Sequence, residues 1–425
     1  MPMPRLDDLV IDPGYLLATE ADRLLAELDA VVEPEAVLAA AAYRLAVAYI
    51  REEPAEAASH LQLAARRLGA DQLADRIAYG GGLVWSTRWL LPTDEDRQLT
   101  PPVTVSTPRA ASCLVRPDGQ RVAIVAHQNG RLGAWDLDEG APPLTALHDA
   151  HEAVGVACVR PSGSPTLAVT AGLDGRVCFL DADAGTLRHT TVVPPATPLP
   201  GSGSYHPPGV RPARELPEVL RAVAAGLLPD GSAVAVTFGD RGWLRWWDPA
   251  TGAELGATRL PQSGRAVVCG LWRGRPVAVA ATSQELSEYE LTTRAATGRR
   301  TVVHSGPIEA LGIAATGGGD SIVVATDGYG RLHRWWLSTL ESLGDPLDGH
   351  DGDARTVSCG RFGDGRPIAV TGGFDGTVRV WDLLAGTQLH RIPLEQPVHT
   401  VALADDLSIL VGTSGGIGVL RLADR

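Results

Sequence analysis

The sequence predicts a seven-bladed β-propeller preceded by a small all-α domain, and three observations carry that expectation. The first is a strand motif that recurs seven times: Arg131-Leu-Gly-Ala-Trp135-Asp136, Arg176-Val-Cys-Phe-Leu180-Asp181, Leu244-Arg-Trp-Trp247-Asp248, Ser287-Glu-Tyr289-Glu290, Arg331-Leu-His-Arg-Trp335-Trp336, Thr377-Val-Arg-Val-Trp381-Asp382 and Gly418-Val-Leu420-Arg421. The second is its spacing. Between Trp-equivalent positions the intervals are 45, 67, 42, 46, 46 and 39 residues, close to the about 40 to 45 that a unit of four short strands requires. The third is size and composition: 425 residues exceed what one core can hold, and 48 Gly with 31 Pro mark a chain rich in turns.

Taken in order, residues 1–82 read as the helical arm. Leu16, Leu17, Leu24, Leu25 and Leu28, then Val37, Leu38, Ala41, Leu45, Ala46 and Ile50, then Ala57, Ala58, Leu61, Ala64 and Leu68 approximate a 3.6 spacing. Breaks fall at Asp12-Pro13-Gly14, Glu33-Pro34, Glu53-Pro54 and Gly69, where proline suits helix starts and glycine helix ends. Such short helices need packing partners to be stable. Gly80-Gly81-Gly82 marks the boundary, after which the period becomes 2.

Residues 83–425 read as the propeller. Each unit shows an apolar strand, a turn such as Arg116-Pro117-Asp118-Gly119, a second strand such as Ile368-Ala-Val-Thr371, a Gly-rich turn, the Trp-Asp strand and a variable fourth strand. The last motif has no fourth strand after it, so an N-terminal strand is expected to close the ring, with Thr100–Val105 inside the stretch Trp85–Ser106 as its best match. The 67-residue interval holds a proline-rich insertion, Val193–Glu215, which cannot form a regular ladder and reads as a surface loop. Adjacent residues of a strand face opposite ways, so Trp246 and Trp247, like Trp335 and Trp336, are expected to pack against different neighbouring blades.

Charge and composition exclude several functions. The net charge is −13, and a nucleic-acid or anionic-membrane surface needs clustered cations. The chain contains no lysine, so there is no Schiff-base lysine and no G-x-x-x-x-G-K-[ST] phosphate loop. Charged residues throughout the first 30 positions leave no signal peptide, and Val37–Ile50, interrupted by Arg44, reads as a core helix. Cys113, Cys158, Cys178, Cys269 and Cys359 lack C-x-x-C spacing and are expected to be reduced core thiols. A soluble cytoplasmic protein without metal or cofactor follows.

The repeats resemble the WD40 family. In the sixth unit Gly349-His350, Thr371, Asp375 and Trp381-Asp382 stand in the family's order, and the resemblance implies a side-chain hydrogen-bond network of His350, Thr371, Asp375 and Trp381. The second unit offers His151, Thr170 and Asp174, with Leu180 in place of the tryptophan. The other units are poorer: Val125 and Asn129 in the first, Thr237 with Arg241 in the third, His304 with Ala325 and Tyr329 in the fifth. These histidines are thus expected to be structural.

The front of the chain, through Leu6-Asp-Asp-Leu9, Asp12-Pro13-Gly14-Tyr15-Leu16-Leu17, Ala41-Ala42-Tyr43-Arg44, Gln62-Leu63-Ala64-Ala65-Arg66 and Trp85-Ser-Thr-Arg88-Trp89, resembles the helical arm before the propeller of bacterial STAND-class signalling ATPases. That resemblance implies a sensor, working in trans with a separate STAND-type ATPase or standing alone; the two remain open.

Enzymatic signals are weak. Gly412-Thr413-Ser414-Gly415-Gly416 matches G-x-S-x-G, yet no histidine follows it. The Asp136-Leu-Asp138 and Asp181-Ala-Asp183 pairs lack the glutamate that completes a calcium loop and read as turns. The innermost strands, Ala-Ser-Cys-Leu, Val-Ala-Cys-Val and Val-Ser-Cys-Gly, are poor in titratable groups, against the alternative of a propeller enzyme binding a sugar or small molecule in its channel. The expected function is a non-enzymatic scaffold or sensor for other proteins. Its expected contact surface is the rim of turns before the Trp-Asp strands, with Gln128, Leu173, Asp240, Tyr329 and Phe374. The two aromatics are either interface anchors or covers packed over their own turns.

Overall fold

Seven antiparallel sheets and six α-helices make up the computed structural model, which describes residues 5–92, 106–139, 145–149, 151–194, 217–303 and 306–424. The chain divides into two units, one of Met1–Leu90 with Gly418–Arg425 and one of Leu91–Ile417. The helices lie in the first, at Leu6–Val10, Pro13–Ala18, Ala21–Glu27, Pro34–Glu52, Ala57–Leu68 and Asp71–Gly80. Pro13 and Pro34 occupy first helical positions, and Gly69, at φ 74°, ends Ala57–Leu68 in the left-handed conformation that glycine adopts freely.

The long helix turns a different face inward from the one its larger side chains suggest. Ala36, Ala39, Ala40, Tyr43 and Ala46 are buried, while Val37 and Leu38 are exposed. Alanine lets two helix backbones approach closely, so the small-residue face takes the contact, with Leu16, Leu24, Leu28, Leu61, Leu73 and Ile77 completing the core.

Named from the channel outward, blade 1 runs Pro108–Val115, Arg121–His127, Arg131–Asp136 and Thr145–Asp149. Blade 2 runs Ala153–Val159, Leu167–Gly172, Arg176–Asp181 and Thr186–Val192; blade 3 runs Leu220–Leu227, Ala233–Gly239, Trp243–Asp248 and Ala253–Arg259. Blade 4 runs Ala266–Trp272, Arg275–Ala281, Glu285–Glu290 and Ala296–Val302. Blade 5 has only Ile308–Ala315, Ser321–Asp327 and Leu332–Trp336; blade 6 runs Ala354–Arg361, Pro367–Gly373, Thr377–Asp382 and Thr387–Pro393. The seventh sheet has Val398–Leu403, Ser408–Thr413, Gly416–Leu422 and Trp85–Pro92. Thr100–Val105, the stretch chosen from the sequence to close the ring, lies outside the described residues, as do most of the Val193–Glu215 insertion and His304.

Blade 5 departs from the four-strand rule. Where its outer strand would run, two isolated bridges remain, Leu332 with Leu347 and Trp335 with Ser342. The intervening segment carries Pro346, which has no amide proton, and Leu340 at φ 56°; neither suits a continuous ladder.

The inner strands follow one another around a ring, that of blade 7 packing beside that of blade 1. Their direction is common: Thr356 and Ser358 hydroxyls accept from the amides of Val401 and Leu403 in the next blade, at 3.1 and 3.0 Å, and Ser112 accepts from Cys158 at 3.2 Å. Between blades, Trp246 packs with Tyr289 of blade 4 while Trp247 packs with Phe179 of blade 2. Trp335 likewise joins the blade 4 core and Trp336 packs toward Trp381 in blade 6. All five cysteines are free thiols.

Candidate interaction face and the networks beneath it

The end of each second strand and the turn after it form a repeated unit whose glycines explain what surrounds them. In blade 6, His350 Nδ1 lies 3.0 Å from Asp375 Oδ1 and Nε2 lies 2.8 Å from Thr371 Oγ1, which also accepts from Trp381 Nε1 at 2.9 Å. Thr371 therefore donates its proton to His350 Nε2, and the imidazole carries its own on Nδ1. Burial pushes His350 below the ordinary histidine range against the pull of Asp375. Burial works against ionisation of Asp375, but hydrogen bonds from His350 and from the hydroxyl and amide of Thr377 outweigh it, so its carboxyl sits below the usual range. In blade 2, His151 makes the same contacts, 2.6 Å to Thr170 and 3.2 Å to Asp174. Leu180 offers no indole proton, and Thr170 has the Cys178 side chain as its further hydrogen-bond partner instead.

Room for each imidazole comes from glycine. A Cβ added at Gly373 would stand 2.3 Å from His350 Nδ1, and one at Gly172 would stand 2.2 Å from His151 Nδ1. Blade 3 has Gly239 at the matching position, and there the space is filled by the carboxylate of Glu218, whose Oε1 a Cβ would approach to 2.2 Å. Glu218 is fully buried; its Oε1 accepts from the amides of Arg241 and Trp243 at 3.1 and 3.2 Å. Trp247 Nε1 still donates to Thr237 at 2.9 Å. Blades 1 and 5 have no glycine there and supply the polar group from the position itself. His127 Nδ1 meets the Ser106 carbonyl at 2.6 Å, and Asp327 accepts from the amides of Tyr329 and Arg331 and from His333 Nε2, the last at 2.9 Å.

These turns hold the rim. The amides of Gln128, Leu173, Asp240 and Phe374 donate to the carbonyls of Thr107, Glu152, Val219 and Asp353, the residues just before the inner strands. The blade 5 equivalent of these four is Gly328, which donates to Pro307. Tyr329 stands one residue further, at the position of Asp375, and its ring lies against Gly306. Of the five rim residues named from the sequence, Gln128, Tyr329 and Phe374 are exposed, Tyr329 at 63% and Phe374 at 37%; Leu173 and Asp240 are half-buried.

Beside the rim, the heads of the inner strands carry residues that the sequence reading passed over. In six blades the ladder slips by one position there, leaving Arg109, Val154, Arg221, Glu309, Arg355 and His399 outside the pairing. A bulge of this kind re-aims the unpaired side chain. Arg265 heads blade 4 without a bulge. Arg355 pairs with Asp353 at 2.8 Å and lies 4.2 Å over the Phe374 ring, and His399 meets that ring edge-on at 5.7 Å. Burial raises Glu309 while Arg265 and Arg355 pull it down; burial lowers His399, and Arg355 and Arg109 lower it further. The recurring sequence signal was a charged residue between an apolar or small residue and Ala or Thr, as in Pro108-Arg109-Ala110 and Val398-His399-Thr400.

The motifs set aside as non-catalytic have local explanations. Ser414 sits in a strand-to-strand turn, its hydroxyl 3.2 Å from Gln396 Oε1. Asp136, Asp181 and Asp382 each accept from two backbone amides of the following turn.

A separate polar cluster occurs in the first unit. Ser59, His60 and Gln62 are buried on one helix; Ser59 Oγ and Gln62 Oε1 accept from the amides of Trp85 and Thr87 at 3.3 and 2.7 Å, standing in for a neighbouring strand. Glu56 accepts from the Trp85 indole and Glu53 meets His60 Nε2 at 3.0 Å. Glu53, Glu56 and His60 present donor atoms within 4.8 Å of one another, a set a divalent ion could use, but these hydrogen bonds account for the grouping without one.

The model of the WD domain, G-beta repeat (WD40) matches residues 341–382, which reach from the irregular edge of blade 5 through the third strand of blade 6. No curated protein matches the chain. Among solved structures, the crystal structure of BBS1N in complex with ARL6DN, soaked with lead, aligns at a TM-score of 0.59 and 12% identity, covering 80% of this chain and 97% of that one. That likeness is one of fold. Among the described residues no helix is long and apolar enough to cross a membrane. The chain thus carries a WD40 repeat within a seven-bladed β-propeller.

Proposed function

We propose that this chain is a non-enzymatic protein-interaction module, a scaffold or sensor that presents the rim and the strand heads beside it to another protein in the cytoplasm. The observation that carries the reading is the exposure of Tyr329 and Phe374 on turns held rigidly beneath by the buried networks. Large aromatics on a pre-organised surface are what binding hot spots require. Five unpaired thiols suit a reducing compartment. Mid-strand positions around the channel supply Ala, Ser, Cys and Val, which favours binding over catalysis. The finer reading, a STAND-type ATPase as the partner in trans, rests on the resemblance of the helical arm alone.

The test is quantitative capture from the native lysate with the full chain and with the Tyr329→Ala/Phe374→Ala variant. Loss of a hot-spot residue costs about 2 kcal/mol or more, so retention of the partner should fall by at least about tenfold. If every captured protein is retained equally by both, the rim is not the site.

A further inference from the structure

On the arc from blade 6 through blade 7 to blade 1, the bulged heads of successive inner strands carry Arg355, His399 and Arg109, the first two against the exposed ring of Phe374. Burial lowers His399, and Arg355 on one side and Arg109 on the other lower it further, so the imidazole between the two guanidinium groups is the neutral member of the row. Phe374 joins two of the three, with the Arg355 guanidinium stacked 4.2 Å above it and His399 against its edge. Arg355 is partly neutralised by Asp353. Arg109 has no ion-pair partner among the described residues. A chain of net charge −13 thus sets two guanidinium groups, Arg109 and Arg355, at one mouth of its channel beside an apolar anchor, with Asp353 and Glu309 on the far side of Arg355 and a neutral His399 between the two.

We propose that this arc binds an acidic segment of a partner protein, with Arg109 and Arg355 taking carboxylate or phosphate groups and Phe374 an adjacent apolar side chain. Guanidinium matches both anions with paired N–H donors, and an aromatic beside it selects a peptide over a bare polyanion. The inference rests on the interaction-module reading and narrows it to one chemistry.

The experiment uses the full chain and fluorescence anisotropy with three labelled probes: a decapeptide of alternating Glu and Leu, the same peptide with Gln for Glu, and oligodeoxythymidine. The Glu peptide should bind at least about tenfold more tightly than the Gln peptide, and Arg109→Glu should weaken it by about tenfold. Arg109→Gln should fall between, and binding should weaken as salt rises from about 50 to about 200 mM. Thermal melts of both variants should match the parent, because Arg109 makes no ion pair among the described residues. Equal affinity for the Glu and Gln peptides, no binding of any probe, an unaffected Arg109→Glu, or tighter binding of the oligonucleotide would each overturn the proposal. Lysate capture separates this failure from failure of the broader reading. If Tyr329→Ala/Phe374→Ala loses a partner that Arg109→Glu retains, the interaction face stands and the acidic segment does not.

Discussion

Replacing Thr371 by valine removes one hydroxyl and almost no volume, and the structure says what that hydroxyl satisfies. It donates to His350 Nε2 at 2.8 Å and accepts from Trp381 Nε1 at 2.9 Å, in surroundings that are wholly buried. Each orphaned buried group costs about 1–3 kcal/mol, so Thr371→Val should cost about 2–6 kcal/mol. Two other blades calibrate the argument. Thr237 serves only the Trp247 indole and Thr170 only His151 among such ring partners, so valine at either should cost about 1–3 kcal/mol. A fourth site reverses the sign: Thr326 is fully buried and its hydroxyl has no partner among the described residues, so Thr326→Val should be neutral or stabilising. Thermal unfolding of the four variants reads the series, at about 2 °C per kcal/mol for a chain of this size. The reasoning fails if Thr371→Val is no more damaging than Thr237→Val and Thr170→Val, or if Thr326→Val ranks with them.

Three further outcomes are expected. Gly239→Ala and Gly373→Ala place a Cβ 2.2 Å from Glu218 and 2.3 Å from His350, so each should lower stability by about 1–3 kcal/mol in a denaturant titration; pairing Gly239→Ala with Glu218→Ala should be clearly non-additive. His350, held below the ordinary histidine value of about 6.5 by burial, stays neutral in the folded chain where the unfolded chain protonates, so stability is complete above about pH 6.5 and falls as pH drops toward the folded value. Urea midpoints at pH 8 and pH 5 should therefore converge in His350→Gln relative to the parent; an unchanged pH 8-to-5 loss in the variant removes His350 as its source. Cys113, Cys158, Cys269 and Cys359 are half-buried on the inner strands, and burial pushes Cys158, Cys269 and Cys359 up to about 12 and Cys113 higher still, so a thiol reagent at neutral pH should label the native chain far more slowly than the unfolded one, and equal rates would contradict that environment.

The propeller was legible because the Trp-equivalent strand is packed from both sides, and that demand repeats in every blade. Trp246 and Trp247 show the rule, each buried against a different neighbour. Where a unit departs from the repeat, local chemistry supplied a different solution to the same need. The strand that completes the seventh sheet is Trp85–Pro92, at the front of the expected Trp85–Ser106 stretch, and its edge is met by Ser59 and Gln62. Blade 5 loses its outer strand around Pro346. The third and fifth blades looked impoverished only because their polar groups stand at other positions: Glu218 precedes its inner strand, and Asp327 replaces the glycine that elsewhere makes room for a histidine. Once Gly172, Gly239 and Gly373 are aligned with His127 and Asp327, the alternatives become one rule. A glycine admits a polar group from the preceding loop, and a non-glycine brings its own.

The same logic explains why the basic arc was invisible to a reading of alternation. A period-2 pattern sorts residues by face, and a bulge advances the phase by one, so the residue at the slip belongs to neither face. Mid-strand segments such as Ala-Ser-Cys-Leu describe the channel wall correctly and say nothing about its mouth. Net charge averages over the surface in the same way: −13 for the chain coexists with Arg355, His399 and Arg109 in sequence around a single rim. An anion approaching that rim meets Arg109 and Arg355 within a Debye length of about 8 Å, together with Asp353 and Glu309 beside Arg355, while more distant charges are screened. Recognition at this face is therefore governed by which residues the bulges release, and charge-changing substitutions elsewhere on the propeller should leave it nearly unaltered.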